Sequence, residues 1–160
     1  MNIGEKFDEL HETWFGPEPA NEVPQNRRER WFKKDPTWDR TLRDRFGVIH
    51  PGTDSGPTCT SLRESIRNRK DRVGYLLLLD QISRNIFRDQ PDAFTHDEDA
   101  RRQANSFIES GLDRTCSFWE RAFIYMPFQH SENLADQERS LQLFEQLALD
   151  APEHHQESAE

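Results

Sequence analysis

Long apolar runs are missing from this chain. No window of its 160 residues approaches the ~20 apolar residues that a membrane span needs. The opening MNIGEKFDELHE is charged within a few residues and lacks the apolar core of a secretion signal. Both absences read as a cytoplasmic protein with no membrane partner. Positive charge is also scarce: 21 Lys and Arg stand against 30 Asp and Glu, for a net charge of -9. That balance disfavours broad attraction to nucleic acid or anionic lipid, since both need a positive field. Lysine is the rarer cation, confined to Lys6, Lys33, Lys34 and Lys70. Cysteine is limited to Cys59 and Cys116, far apart and in no CxxC or metal-ligand spacing, which fits incidental thiols in a reducing compartment. No metal or cofactor is expected from them.

What is present is ring-rich. Hydrophobic residues make up 33% of the chain, but 4 Trp and 11 Phe are among them, so a small aromatic core is expected in a domain-sized chain. Ile3, Phe7, Leu10, Trp14 and Phe15 recur at helical spacing, and Gly16-Pro17 ends that helix. Residues 18–30 read as a polar connector before Trp31-Phe32 turns inward. Asp35-Pro36 reads as an N-cap with Pro at the first helical position, opening a helix through Trp38, Leu42, Phe46 and Ile49. Residues 51–61 are a Gly, Pro, Ser and Thr loop, after which helical pattern returns weakly at Leu62 and strongly from Val73 to Phe87.

Further helices are expected from Asp97 to a stop at Gly111, through Phe118, Ala122 and Tyr125 to an end or kink at Pro127, and after a cap at Ser131 or Asn133. The last would turn Leu134, Leu141, Phe144 and Leu147 inward. The sum is an all-α single domain of six to seven helices stacked as antiparallel hairpins over residues 1–150, with a polar, disordered tail at 151–160. No 34-residue self-similarity establishes a repeat.

The segment LLLLDQISRNIFRDQ, residues 76–90, sets four leucines against a dense polar group. On a helix, Tyr75, Leu78, Leu79, Ile82 and Ile86 share one side, while Asp80, Gln81, Arg84, Asn85 and Arg88 share an arc of about 140° on the other. A helix so apolar at its start is central, so the polar arc is expected to face other protein.

Four stretches, WFG at 14–16, WFKKDPTWDRTLRDRFG at 31–47, LLLLDQISRNIFRDQPDAFTHD at 76–97 and RAFIYMPFQHSENLADQERSLQLFEQL at 121–147, together resemble the bacterial domain of unknown function 924 family. The resemblance implies an all-helical, tetratricopeptide-like fold and supplies no activity. Ser83 stands where the family pattern has Pro, residues 50–72 depart from it, and a basic C-terminal segment is missing after Leu149. The paired motifs nominate Asp80, Gln81, Arg84, Asn85 and Arg88 together with Tyr125, His130, Ser131, Glu132, Asp136 and Gln137 as a polar network.

Three readings of that network remain open. In the first it is structural: Arg84 and Arg88 pair with Glu132, Asp136 or Asp80, and Gln81 and Asn85 satisfy backbone around 127–133. In the second, part of it is an open groove that binds a protein segment or a small anionic ligand, because two arginines a turn apart can clamp a carboxylate or phosphate. The third is an enzyme using His130 and Glu132, with His96, Asp97 and Asp136, for acid/base or metal chemistry. His130-x-Glu132 is a poor helical ligand pair, and no HExxH or nucleophile loop occurs.

Overall fold

The computed structural model describes residues 2–17 and 23–151, and the tail at 152–160, including His154 and His155, lies outside them. Helix α1, Ile3–Phe15, is capped by Asn2 and stopped at Gly16, whose φ of 88° is one that glycine adopts freely. Helix α2, Gln25–Phe32, occupies residues 25–30 of the expected connector. Its single buried anchor is Trp31, which donates Nε1–H to the Trp14 carbonyl, while Phe32 stays largely exposed, against expectation. Helix α3, Pro36–Phe46, starts as its sequence dictates, the Asp35 carboxylate accepting from the Thr37 and Trp38 amides, and a 3₁₀ turn follows at Gly47–Ile49.

After the short α4, Cys59–Glu64, comes the central helix α5 in three continuous pieces: an α segment Arg69–Leu77, a π turn Leu78–Ile82 and a last α turn Ser83–Ile86. All four leucines at 76–79 are fully buried. Helices α6, Asp97–Glu109, α7, Phe118–Gln129, and α8, Leu134–Asp150, complete the fold. Among the described residues all regular structure is helical.

Helix α1 packs on the first segment of α5, α3 on its end, and α7 and α8 form a hairpin through the turn at 130–133. The approach of α1 requires Gly74, since a Cβ there would sit 2.7 Å from the Phe7 carbonyl oxygen. Rings of Trp14, Phe15, Trp31 and Phe123 interlock in edge-to-face contacts of 4.9–6.0 Å between α1, α2 and α7. Helix α7 opens with a capping box of Ser117 and Glu120 and runs past Pro127 to Gln129.

One inward stripe is corrected. Leu147 is buried and Phe144 packs on the core, but Leu134 and Leu141 are 72% and 67% exposed. They lie seven residues apart, on a face more than about 100° from the Ser140–Leu147 stripe that meets α7, so the heptad spacing marked the wrong side.

Candidate polar groove and its buried network

The π turn sets the site. It widens α5 by one residue, and the Ser83 amide donates to Leu78 O, the carbonyl that also accepts from the Ser83 hydroxyl at 3.3 Å. Family-like Pro at this position would lack the donating N–H. Ser83 Oγ also lies 2.7 Å from His50 Nε2, whose other nitrogen, Nδ1, accepts from the Gly52 amide. That tautomer leaves Nε2–H to donate. Burial, reinforced by nearby His96, pushes His50 down to about 3, so the ring is neutral at neutral pH.

On the opposite arc the expected burial holds: Asp80, Gln81 and Asn85 are buried, while Arg84 and Arg88 are half-buried. Their partners differ from those expected. Arg84 makes a two-pronged pair with Asp97, Nη1–Oδ1 2.8 Å and Nη2–Oδ2 2.9 Å, and also reaches the Asp80 carbonyl at 2.7 Å and carboxylate at 3.3 Å. Arg88 pairs with Asp39 of α3 at 2.6 and 3.0 Å, and Asn85 donates to the same carboxylate at 2.9 Å. Burial raises the Asp39 carboxyl, yet the donors from Arg88 and Asn85 override it and hold it below the usual carboxylate range. Gln81 donates to Asp80 and to the Met126 sulfur rather than to loop backbone.

Neither Glu132 nor Asp136 neutralises the two arginines. Glu132 is exposed and makes no hydrogen bond or ion pair among the described residues. Asp136 accepts from Ser131 Oγ at 2.6 Å and lies 3.8 Å from Arg101. His130 does join the network, its Nδ1 2.9 Å from Asp80 Oδ1. Gln137 ties the turn shut by donating to the Gln129 and Ser131 carbonyls. Tyr125 belongs elsewhere: it donates to Asp113 at 2.6 Å and accepts from Arg121 on the far side of α7, and burial with the Asp113 charge pushes it up to about 12.

Between the 3₁₀ turn Pro91–Phe94, the start of α6 and the turn at 130–133 lies an open groove of about 660 Å³. The paired Arg84 and Asp97 line it together with Phe94, His130, Arg101 and Glu132. Phe94 is 60% exposed, and the Arg84 guanidinium sits 5.3 Å from its ring centre. Sequence reasoning did not single out Asp39, Phe94 or Arg101. Each sits on the polar side of a short helix or turn among many like residues, and only tertiary contact distinguishes it. The arrangement offers a cationic guanidinium, an aromatic face and a histidine oriented by a buried carboxylate. A cluster with metal-ligand chemistry lies on the other side of His50, at Cys59, His96 and Asp99.

The family model described as "Bacterial protein of unknown function (DUF924)" matches residues 10–160. No curated protein matches the chain. A solved structure, titled "Structure of Protein of Unknown Function ATU0120 from Agrobacterium tumefaciens", is similar with a TM-score of 0.75 and 27% identity, covering 98% of this chain and 80% of that one. No helix among the described residues is long and apolar enough to cross a membrane. The chain belongs to the DUF924 family.

Proposed function

We propose that this member of the DUF924 family is a cytoplasmic binding module whose groove receives a carboxylate or phosphate, borne by a small molecule or by a protein segment. The observation that carries the reading is the state of Arg101. Arg84 and Arg88 are matched by carboxylates at 2.6–2.9 Å, whereas Arg101 stands 3.8 Å from an Asp136 already engaged by Ser131. An incoming anion therefore meets one under-neutralised guanidinium, held half-buried where its field is less screened than in open water. Exposed Phe94 supports an apolar or aromatic group beside the anion.

The test is an amide-shift titration with phenylacetate, and in parallel with a short peptide of aspartate and phenylalanine. Shifts confined to 94–101 and 130–133 that vanish in Arg101→Ala support the reading, and the tighter probe separates the two sources. Shifts unaffected by Arg101→Ala, or none, overturn it.

The His130–Asp80 contact favours a second reading, in which a histidine held by a buried carboxylate serves as general acid or base in an enzyme. The other group of that reading, Glu132, stands on the same groove. Ser131 offers no matching nucleophile, because its hydroxyl is spent on Asp136. A hydrolase substrate screen comparing wild type with His130→Gln distinguishes this reading, since turnover that the variant abolishes would establish it.

A further inference from the structure

Away from the groove, the first residue of α4 and the first turn of α6 bring three unlike side chains together. Cys59, His96 and Asp99 place their ligand atoms within 4.8 Å of one another, all half-buried, and no other such trio occurs among the described residues. His96 and Asp99 are three apart at the start of one helix, so they project to the same side. Thr58 fixes the opposite wall by accepting from the Ser61 amide, which sets the backbone that carries Cys59.

The Cys59 thiol has Tyr75 and Asp99 as its polar neighbours, the His96 ring stacks edge-on to His50, and Asp99 spends one oxygen on Arg102. A second observation comes from the central helix. The Tyr75 side chain is fully buried, and its hydroxyl, with Cys59 and Arg63 as its polar neighbours, makes no well-aligned hydrogen bond. Cys59 is among its side-chain neighbours, so the hydroxyl lies against the same cluster. A buried hydroxyl so weakly satisfied has capacity for a further partner.

We propose that Cys59, His96 and Asp99 bind a zinc ion, with a water in the fourth position that hydrogen-bonds the Tyr75 hydroxyl. One sulfur, one nitrogen and one oxygen suit a borderline-soft cation, and three protein ligands with one open position are the pattern of a zinc site that is accessible to solvent or substrate. Ligand atoms around tetrahedral zinc stand roughly 3.3–3.8 Å apart, given bonds of ~2.0–2.3 Å, so atoms within 4.8 Å of one another need to close by no more than about 1.5 Å. On binding, the thiol proton passes to solvent and the thiolate bonds to the metal.

The experiment is a cobalt(II) titration of the full chain, stripped of metal with a chelator, followed by absorbance and then by displacement with zinc. One equivalent of cobalt should give a thiolate-to-metal charge-transfer band that zinc removes. Cys59→Ser should lose the band, Asp99→Asn and His96→Gln should weaken binding by roughly tenfold or more, and Cys116→Ser should retain it. Circular dichroism establishes that each variant is folded, and the wild-type titration stands without any variant. No thiolate band in the wild type, a band lost in Cys116→Ser but kept in Cys59→Ser, or undiminished affinity in Asp99→Asn would overturn the assignment.

Discussion

Asp80 Oδ1 lies 2.9 Å from His130 Nδ1, tying the π turn of the central helix to the loop that starts α8. The same carboxylate accepts from Gln81 at 2.9 Å and faces Arg84 at 3.3 Å, so one fully buried charge organises three elements. Asp80→Asn keeps the shape but removes the charge and one acceptor. Urea unfolding should show a loss of about 2–3 kcal/mol, the scale for breaking a charged, largely buried contact. A loss below about 0.5 kcal/mol would mean that the contact carries no stability.

Glu132 should behave in the opposite way. It is exposed and lacks a partner, so Glu132→Ala should leave unfolding within about ±0.5 kcal/mol of wild type, and a cycle with Arg84→Ala should show no coupling. The cycle that does show coupling is Arg84 with Asp97.

Gly74→Ala tests the packing of α1 on α5. The added methyl would meet Phe7 backbone and Cβ at 2.7–3.1 Å, and backbone cannot rotate aside. Despite the helix propensity gained, a net destabilisation of about 1–3 kcal/mol is expected in thermal or urea unfolding.

Two buried groups set the acid sensitivity, in separable windows. His50 is depressed from 6.5 to about 3 by burial and by His96, so the stability tied to its neutral form is complete above about pH 6.5 and is lost as pH falls through 3. Glu120 is pushed up by burial but pulled down further by His11 and the Ser117 amide, to about 2, so its share is complete above about 4.5 and is lost as pH falls through 2. Urea midpoints should therefore decline between about pH 6.5 and 4.5 in wild type and in Glu120→Gln, but decline less in His50→Gln. Equal slopes in all three would remove His50 from the account.

Ser83→Ala removes the acceptor for His50 and the second donor to Leu78 O, both buried. A loss of about 1–3 kcal/mol is expected by urea unfolding, since it leaves buried His50 Nε2 unsatisfied.

Much of the helical frame was legible because its signals are local. Asp35-Pro36 caps α3, Gly16 and Gly111 take positive φ at helix ends, and Asn133 caps α8, all from side-chain and backbone chemistry within a few residues. The burial of the Asp80 arc followed from leucines surrounding the same helix. Helix α2 was not legible, because QNRRERWF buries one tryptophan and one anchor has no period. The network partners were not legible either. Asp39 and Asp97 are acids on polar helix surfaces, indistinguishable in sequence from Glu132, and only the fold sets them 2.6–2.9 Å from Arg88 and Arg84. The clustering of Cys59 with His96 and Asp99 is likewise tertiary, joining the starts of two helices far apart in the chain with no spacing to announce it.

The account divides the arginines of this face into those that hold the fold and one that remains available, and a single measurement tests the division: urea unfolding of Arg84→Ala beside Arg101→Ala. Arg84 is locked to Asp97 and Asp80, so its loss should cost about 2–3 kcal/mol, less than for a wholly buried pair because the guanidinium keeps some solvent. Arg101, 3.8 Å from its nearest carboxylate, should cost no more than about 0.5 kcal/mol. Equal losses, or the larger one at Arg101, would contradict both the scaffold role of Arg84 and the under-neutralised state of Arg101.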